Sequence, residues 1–254
     1  MYFDTHAHFD SEAFDADRAE LIESLPAAGV DGVVNCGCDL PSSYQSTKLA
    51  EHYPYFYAAV GLHPDAANDL TDAALSELRT LCENPRVVAV GEIGLDYHYP
   101  DGPDKDVQKV TFRRQLELAA ELHKPVICHV RDAIGDAMEI VREFPELCGV
   151  FHCFSGSVET AQELMERGWY VGFTGVLTFK NARRAAEVVK AVPIDRLFLE
   201  TDCPYMAPEP NRGRRCDSRM LEFTCAKMAE LRGISPEEMA RITQENARRF
   251  FAIP

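Results

Sequence analysis

Positive charge is what this sequence has least of: Lys and Arg total 26 against 41 Asp and Glu, a formal net charge of −15. Proteins that coat nucleic acid by general electrostatic attraction present a basic face, and this composition argues against that class. An enzyme that meets phosphate only locally stays open, because carboxylates gathered around cations would themselves add negative formal charge. Long apolar runs are also missing. Stretches such as Val87 to Val90 fall far short of the roughly 20 residues needed to cross a bilayer, so no membrane partner is expected. Tyr2 and Phe3 are followed at once by Asp4, His6 and His8, without the basic and then apolar regions of a secretory leader. The nine cysteines, from Cys36 to Cys225, follow no framework spacing. A chain of this size does not need disulfide staples, and buried thiols in a reducing, cytoplasmic setting are expected, with thiolate ligation the minor alternative. No repeat, low-complexity tract or linker divides the chain, and no obligate protein partner is evident.

What is present is a regular alternation. Eight short β-rich runs recur: Tyr2 to Thr5, Gly32 to Cys36, Phe56 to Val60, Val87 to Glu92, Pro125 to His129, Val150 to His152, Tyr170 to Phe173 and Leu197 to Glu200. Most are separated by helical periodicity, as in Val110 to Leu122, where Phe112, Leu116, Leu118, Ala119 and Leu122 lie mainly on one face. Alternating strands and helices imply parallel pairing through right-handed crossovers. Ser235-Pro236-Glu237-Glu238 offers an N-cap, a first-turn proline and a capping-box glutamate for a last helix reaching about Phe250. With 254 residues, close to the roughly 250 of one α/β barrel, the expected fold is a TIM-type (β/α)8 barrel forming a single domain over residues 1–254. A doubly wound open sheet is the competing architecture. The number of runs and the polar residues at their ends favour the barrel.

Those ends carry the chemistry. Phe3-Asp4-Thr5-His6-Ala7-His8 sends two imidazoles to one side of an extended strand. Glu92 emerges from an apolar run, His129 and His152 end the fifth and sixth, and Glu200 and Asp202 follow the eighth. Several ionisable groups in a barrel mouth are costly unless cations or hydrogen bonds compensate them. His6, His8, Glu92, His129, His152 and Asp202 suffice for two divalent ions, one at His6 and His8, the other at His129 and His152, with Glu92 able to bridge. His63, in Gly61-Leu62-His63-Pro64, is placed to contact substrate, whereas His52, His98 and His123 lie in or beside helices and loops and read as ordinary structural residues. Candidate phosphate clamps are Arg131, two residues past His129 and the favoured one, then Lys180, Arg183 and Arg184, and Arg212, Arg214 and Arg215.

Seven ordered motifs make the chain resemble the TatD family of metal-dependent deoxyribonucleases, among the amidohydrolase-like barrels. They are Asp4-Thr5-His6-Ala7-His8, Gly61-Leu62-His63-Pro64, Gly91-Glu92-Ile93-Gly94-Leu95-Asp96-Tyr97, His129-Val130-Arg131-Asp132-Ala133, His152-Cys153-Phe154-Ser155-Gly156, Leu199-Glu200-Thr201-Asp202 with Pro204-Tyr205, and Glu245-Asn246-Ala247. The resemblance covers essentially the whole chain and implies the same six metal ligands. Val130, where a small polar residue is more usual, and Cys203, where serine is more usual, depart mildly from the pattern.

The resemblance implies an exonuclease-like enzyme acting on DNA, single-stranded or at ends, with two divalent ions (Mg, Mn or Zn) activating a water that attacks phosphorus. In that reading Asp202 and Glu92 are catalytic, Asp202 orienting the water or accepting its proton. His63 and Arg131 bind substrate, and Glu200 supports the ligands by hydrogen bonding. The rival is an amidohydrolase-type enzyme cleaving a C–N or ester bond of a small molecule. Many of those bridge their metals with a modified lysine at the fourth or fifth strand, a place that Glu92 takes here. A second phosphoesterase group that opens with His-x-His fits the later motifs poorly, and a non-catalytic barrel would have no need of all six ligands.

Overall fold

The computed structural model describes residues 1–254. Its eight strands are β1 (Tyr2–Ala7), β2 (Val30–Cys36), β3 (Phe56–Val60), β4 (Val87–Asp96), β5 (Val126–Arg131), β6 (Gly149–Phe151), β7 (Tyr170–Phe173) and β8 (Leu197–Leu199). They follow one another in sequence order through one sheet, and every pairing defined residue by residue is parallel. The helices are α1 (Arg18–Ser24), α2 (Leu40–His52), α3 (Asp72–Leu81), α4 (Lys105–Leu122), α5 (Ile134–Arg142), α6 (Val158–Glu166), α7 (Arg183–Ala191), α8 (Leu221–Arg232) and α9 (Pro236–Phe250). This is the expected (β/α)8 fold class. No helix is long and apolar enough to cross a membrane. The chain divides into two compact units, residues 1–35 with 153–254 and residues 36–152.

In the first unit the beginning and end of the chain are joined. β1 is buried from Phe3 to Ala7, and Ala7 forms a parallel bridge to Cys203, just past β8. Two backbone bonds extend that pairing, Asp202 N to His6 O at 2.9 Å and His8 N to Cys203 O at 2.8 Å. α9 packs along this seam. Phe251, its C-cap, stacks on Phe3 and on Phe198, while Phe250 meets Tyr170 and Phe198 edge-on. Ser235 caps α9 by accepting from Glu238 N. Asn246 donates its amide to the carbonyls of Ile194 and Leu197, so the Glu245-Asn246-Ala247 motif fastens this helix to the start of β8.

In the second unit all ten residues of β4 are buried. Asp39 and Ser42 form a reciprocal capping box at the start of α2, with Pro41 in its first turn. α4 buries Phe112, Leu116, Leu118 and Ala119 of the apolar stripe read from the sequence, whereas Leu122, at its end, is only half-buried. Two of its glutamines turn inward to satisfy strand-end backbone: Gln115 binds both the amide and the carbonyl of Leu62, and Gln108 those of Asp96. β4 and β5 run in register from Ile93↔Cys128 to Asp96↔Arg131. Gly94 is required there, since it adopts φ +145° and an added Cβ would sit 1.9 Å from His129 O.

Candidate active site

Each unit gathers imidazoles and carboxylates at its strand ends. In the first, the β1–β8 seam brings the ligands together, because pairing Ala7 with Cys203 sets His6 and His8 beside Asp202. His6 Nε2 and His8 Nε2 are 3.0 Å apart, and Asp202 Oδ1 lies 3.7 and 3.3 Å from them. All three residues are buried. Asp202 adopts φ +60°, a left-handed conformation uncommon for a non-glycine residue and one that Asp tolerates better than most.

Beneath this triad lies a carboxylate to which the sequence reading gave no role. Asp4, fully buried, accepts from Thr201 N (3.0 Å) and His6 N (3.3 Å) through Oδ1, and from the hydroxyls of Thr201 and Ser218 (both 2.6 Å) through Oδ2. Burial pushes its pKa up to about 6, against the lowering effect of those bonds. Asp4 thus ties β1 to the segment bearing Asp202 without itself facing the ligand side. Glu200 acts similarly: its Oε1 accepts from Cys153 N at 2.5 Å and its Oε2 from the Thr5 hydroxyl at 3.4 Å. Gly172 makes room for it, since a Cβ there would meet Oε2 at 2.1 Å.

In the second unit, His129 Nδ1, His152 Nε2 and Glu92 Oε1 form a tighter triangle with sides of 3.2, 2.8 and 2.9 Å. The other nitrogen of His129 faces Asp96 Oδ2 at 3.0 Å. Burial works to lower the basicity of His129, but hydrogen bonds that its ring donates to Asp96 and Glu92 outweigh it and raise its pKa to about 10. The pocket therefore draws positive charge to this position. Asp96 is a further residue whose role the sequence pattern did not reveal. The available signal was its place in Gly91-Glu92-Ile93-Gly94-Leu95-Asp96-Tyr97, an ionisable group directly after apolar residues. The ring of His63 packs edge-on against His129 at 4.4 Å, and His63, Glu92 and His129 themselves form a group with metal-ligand spacing. Arg131 lies over the exposed Tyr99 ring at 5.2 Å and donates to its hydroxyl.

The donor sets fit divalent cations. Bonds of about 2.0–2.2 Å place neighbouring ligand atoms about 3.0–3.6 Å apart in tetrahedral or octahedral shells. The sides of both triangles lie at or within a few tenths of an ångström of that range. The Asp96–His129 contact is the carboxylate–imidazole arrangement that commonly orients a ligating histidine. Of the expected phosphate clamps, Arg215 is engaged elsewhere: it forks onto both oxygens of Asp17 at 2.7 and 2.6 Å and stacks on Phe14. Arg212 lies over the Phe179 ring.

A (β/α)8 chain with imidazole–carboxylate triads at its strand ends falls in the class of metal-dependent barrel hydrolases. The model of the family described as TatD related DNase matches residues 3–252, and the chain belongs to that family. It is 44% identical over 255 residues, spanning 100% of both chains, to an uncharacterized metal-dependent hydrolase, YabD, of Bacillus subtilis. It is 34% identical over 258 residues, 99% of this chain and 98% of the other, to a protein of Klebsiella pneumoniae named as the 3′-5′ ssDNA/RNA exonuclease TatD. Among solved structures it superimposes on YjjV, a TatD homolog of Escherichia coli, with a TM-score of 0.92 and 32% identity, covering 100% of this chain and 98% of that one.

Proposed function

We propose that this protein is a divalent-metal-dependent phosphodiesterase that removes nucleotides from the ends of single-stranded DNA, with RNA a second substrate. The observation that carries this reading is the pair of donor triangles, His6–His8–Asp202 and His129–His152–Glu92, whose spacing suits one cation each. The name of the Klebsiella relative supports the choice of nucleic acid and of end-directed cleavage. Magnesium, manganese and zinc are all compatible with mixed imidazole and carboxylate donors.

Bound cations supply charge that stabilises the phosphoryl oxygens as negative charge builds up, and make nearby water more acidic. The protein's own groups do the rest. Asp202 accepts the proton of the attacking water at a carboxylate oxygen, and its turn is held by the backbone bond to His6 O. Glu92 keeps His129 and His152 in place through the contacts of its Oε1. Glu200 fixes the turn at Cys153, the residue after His152, and so sets that imidazole's approach. Arg131, braced by Tyr99, meets the substrate phosphate, and His63 contacts substrate beside His129.

The rival reading, cleavage of a C–N or carboxylic ester bond, is separated by one panel. Purified protein is assayed with and without manganese against single-stranded DNA, RNA, a phosphotriester and an N-acyl amino acid. DNA hydrolysis that His129→Ala and Asp202→Asn abolish, with unchanged circular dichroism, is the expected result. Full DNA hydrolysis by either folded variant, or turnover of the N-acyl amino acid alone, overturns the proposal.

A further inference from the structure

Beyond the ligand triads, the first unit holds a cavity of about 430 Å3 at the carboxyl end of β7, within the about 300–1,000 Å3 typical of small-ligand pockets. Three stretches line it: residues 153–155 after β6, the end of β7 with the turn that follows, and residues 181–185 leading into α7. The interior is apolar, with Phe154, Phe173 and Leu177 as buried walls. The rim is different. Asn181, Arg183 and Arg184 are all exposed there, at the start of a helix that has no side-chain cap.

The cavity is also mechanically tied to the Asp202 triad. Cys153 in its wall donates its amide to Glu200, two residues before Asp202, and its Sγ lies 3.3 Å from the hydroxyl of Thr174, which also lines the cavity. A ligand seated here is therefore held against the same rigid frame as Asp202. An apolar slot with aromatic walls is what an unstacked base requires, since every base offers a flat π-face. Two guanidiniums at an uncapped helix start, in a chain of net charge −15, suit a phosphate anion. A purely apolar ligand would make no use of them.

We propose that this cavity is a nucleotide subsite: it receives the terminal base of the single strand, while Arg183 and Arg184 hold the adjoining phosphate. The inference rests on the phosphodiesterase reading above and adds the place where the departing nucleotide is recognised. It also gives a reason for a single-strand requirement, because a base still paired and stacked in a duplex could not enter the pocket.

The test compares two esters with the same leaving group, thymidine 5′-(p-nitrophenyl phosphate), which carries a base, and methyl p-nitrophenyl phosphate, which does not. Leu177→Trp fills the cavity and is expected to raise KM for the thymidine ester at least tenfold, leaving turnover of the methyl ester within twofold. That unchanged turnover also shows that the variant is folded and loaded with metal. The milder Val176→Phe, at the half-exposed part of the wall, is expected to act in the same direction. The double variant R183A/R184A is expected to raise KM for a single-stranded oligonucleotide about tenfold at low salt. Equal effects of Leu177→Trp on both esters, or none on either, overturn the subsite. If the wild-type protein hydrolyses neither ester nor DNA, the phosphodiesterase reading fails separately. Calorimetric binding of thymidine 5′-monophosphate then decides the cavity, with binding lost in Leu177→Trp supporting it and no binding overturning it.

Discussion

Two substitutions of Asp4 should differ sharply although both remove the same charge. In Asp4→Ala two backbone amides and two hydroxyls lose their acceptor at a fully buried position. A buried donor left unsatisfied costs about 1–3 kcal/mol, and relief from burying a carboxylate returns part of the total. The expected loss is about 4 kcal/mol, a large share of the about 5–15 kcal/mol that holds a domain together. Asp4→Asn is another matter. Its oxygen still serves the amides of His6 and Thr201, and the hydroxyls of Thr201 and Ser218 can rotate to accept from the new NH2 group. The neutral group is also cheaper to bury, as the raised pKa of Asp4 implies, so the expected loss is about 1 kcal/mol. Urea unfolding at pH 7 in a chelator, followed by circular dichroism, measures both, and the midpoint of Asp4→Ala should fall several times further than that of Asp4→Asn. Equal losses, or a larger loss for Asp4→Asn, would refute the reasoning and show that the negative charge itself, not the satisfied donors, matters here.

Asp96→Asn should leave the fold intact but weaken metal binding about 10–100-fold, because His129 loses the partner that orients it; chelator competition measures this, and unchanged affinity would remove Asp96 from any positioning role. Gly94→Ala places a Cβ against His129 O and should cost more than about 4 kcal/mol, whereas Gly135→Ala, inside α5 with open space around it, should stabilise by about 0.5–1 kcal/mol. Thermal unfolding compares the two, and equal midpoints would contradict the geometry. Burial pushes the Cys82 thiol up to about 11 and Cys225 to about 12, and holds Cys128, Cys203 and Cys216 well above the ordinary thiol range. A thiol of pKa about 11 is only about one part in a thousand thiolate at pH 8. At that pH a thiol reagent should modify the partly exposed Cys38, Cys148 and Cys153 first and the six buried thiols only on unfolding; rapid modification of more than three would count against it.

The strands were legible because a parallel barrel buries both faces of each one, leaving an apolar run that ends abruptly at a polar residue. The limits read from the sequence for β3 and β7 coincide with those of the fold. β4 and β5 run on to Asp96 and Arg131, beyond where the apolar runs stop, because Gln108 of α4 satisfies the backbone of a polar strand end. The six proposed ligands stood out as ionisable groups next to core residues. Asp4 and Asp96 were less visible, since their task depends on partners distant in sequence: Asp4 binds Thr201 and Ser218, and Asp96 binds His129. Arg215 shows the opposite error, an arginine that suggested phosphate but is taken up by Asp17. The cavity beside β7 could not be read at all, because three separate stretches of chain build its walls.

The seam between β1 and β8 also bears on biosynthesis. His6 and His8 are translated 196 and 194 residues before Asp202, which completes their triad. A nascent chain therefore carries both imidazoles without that carboxylate until β8 and the turn after it are made, and a cation that needs all three groups is captured only then. Contacts so remote in sequence form late and slowly, so loading with metal should coincide with the final step of folding.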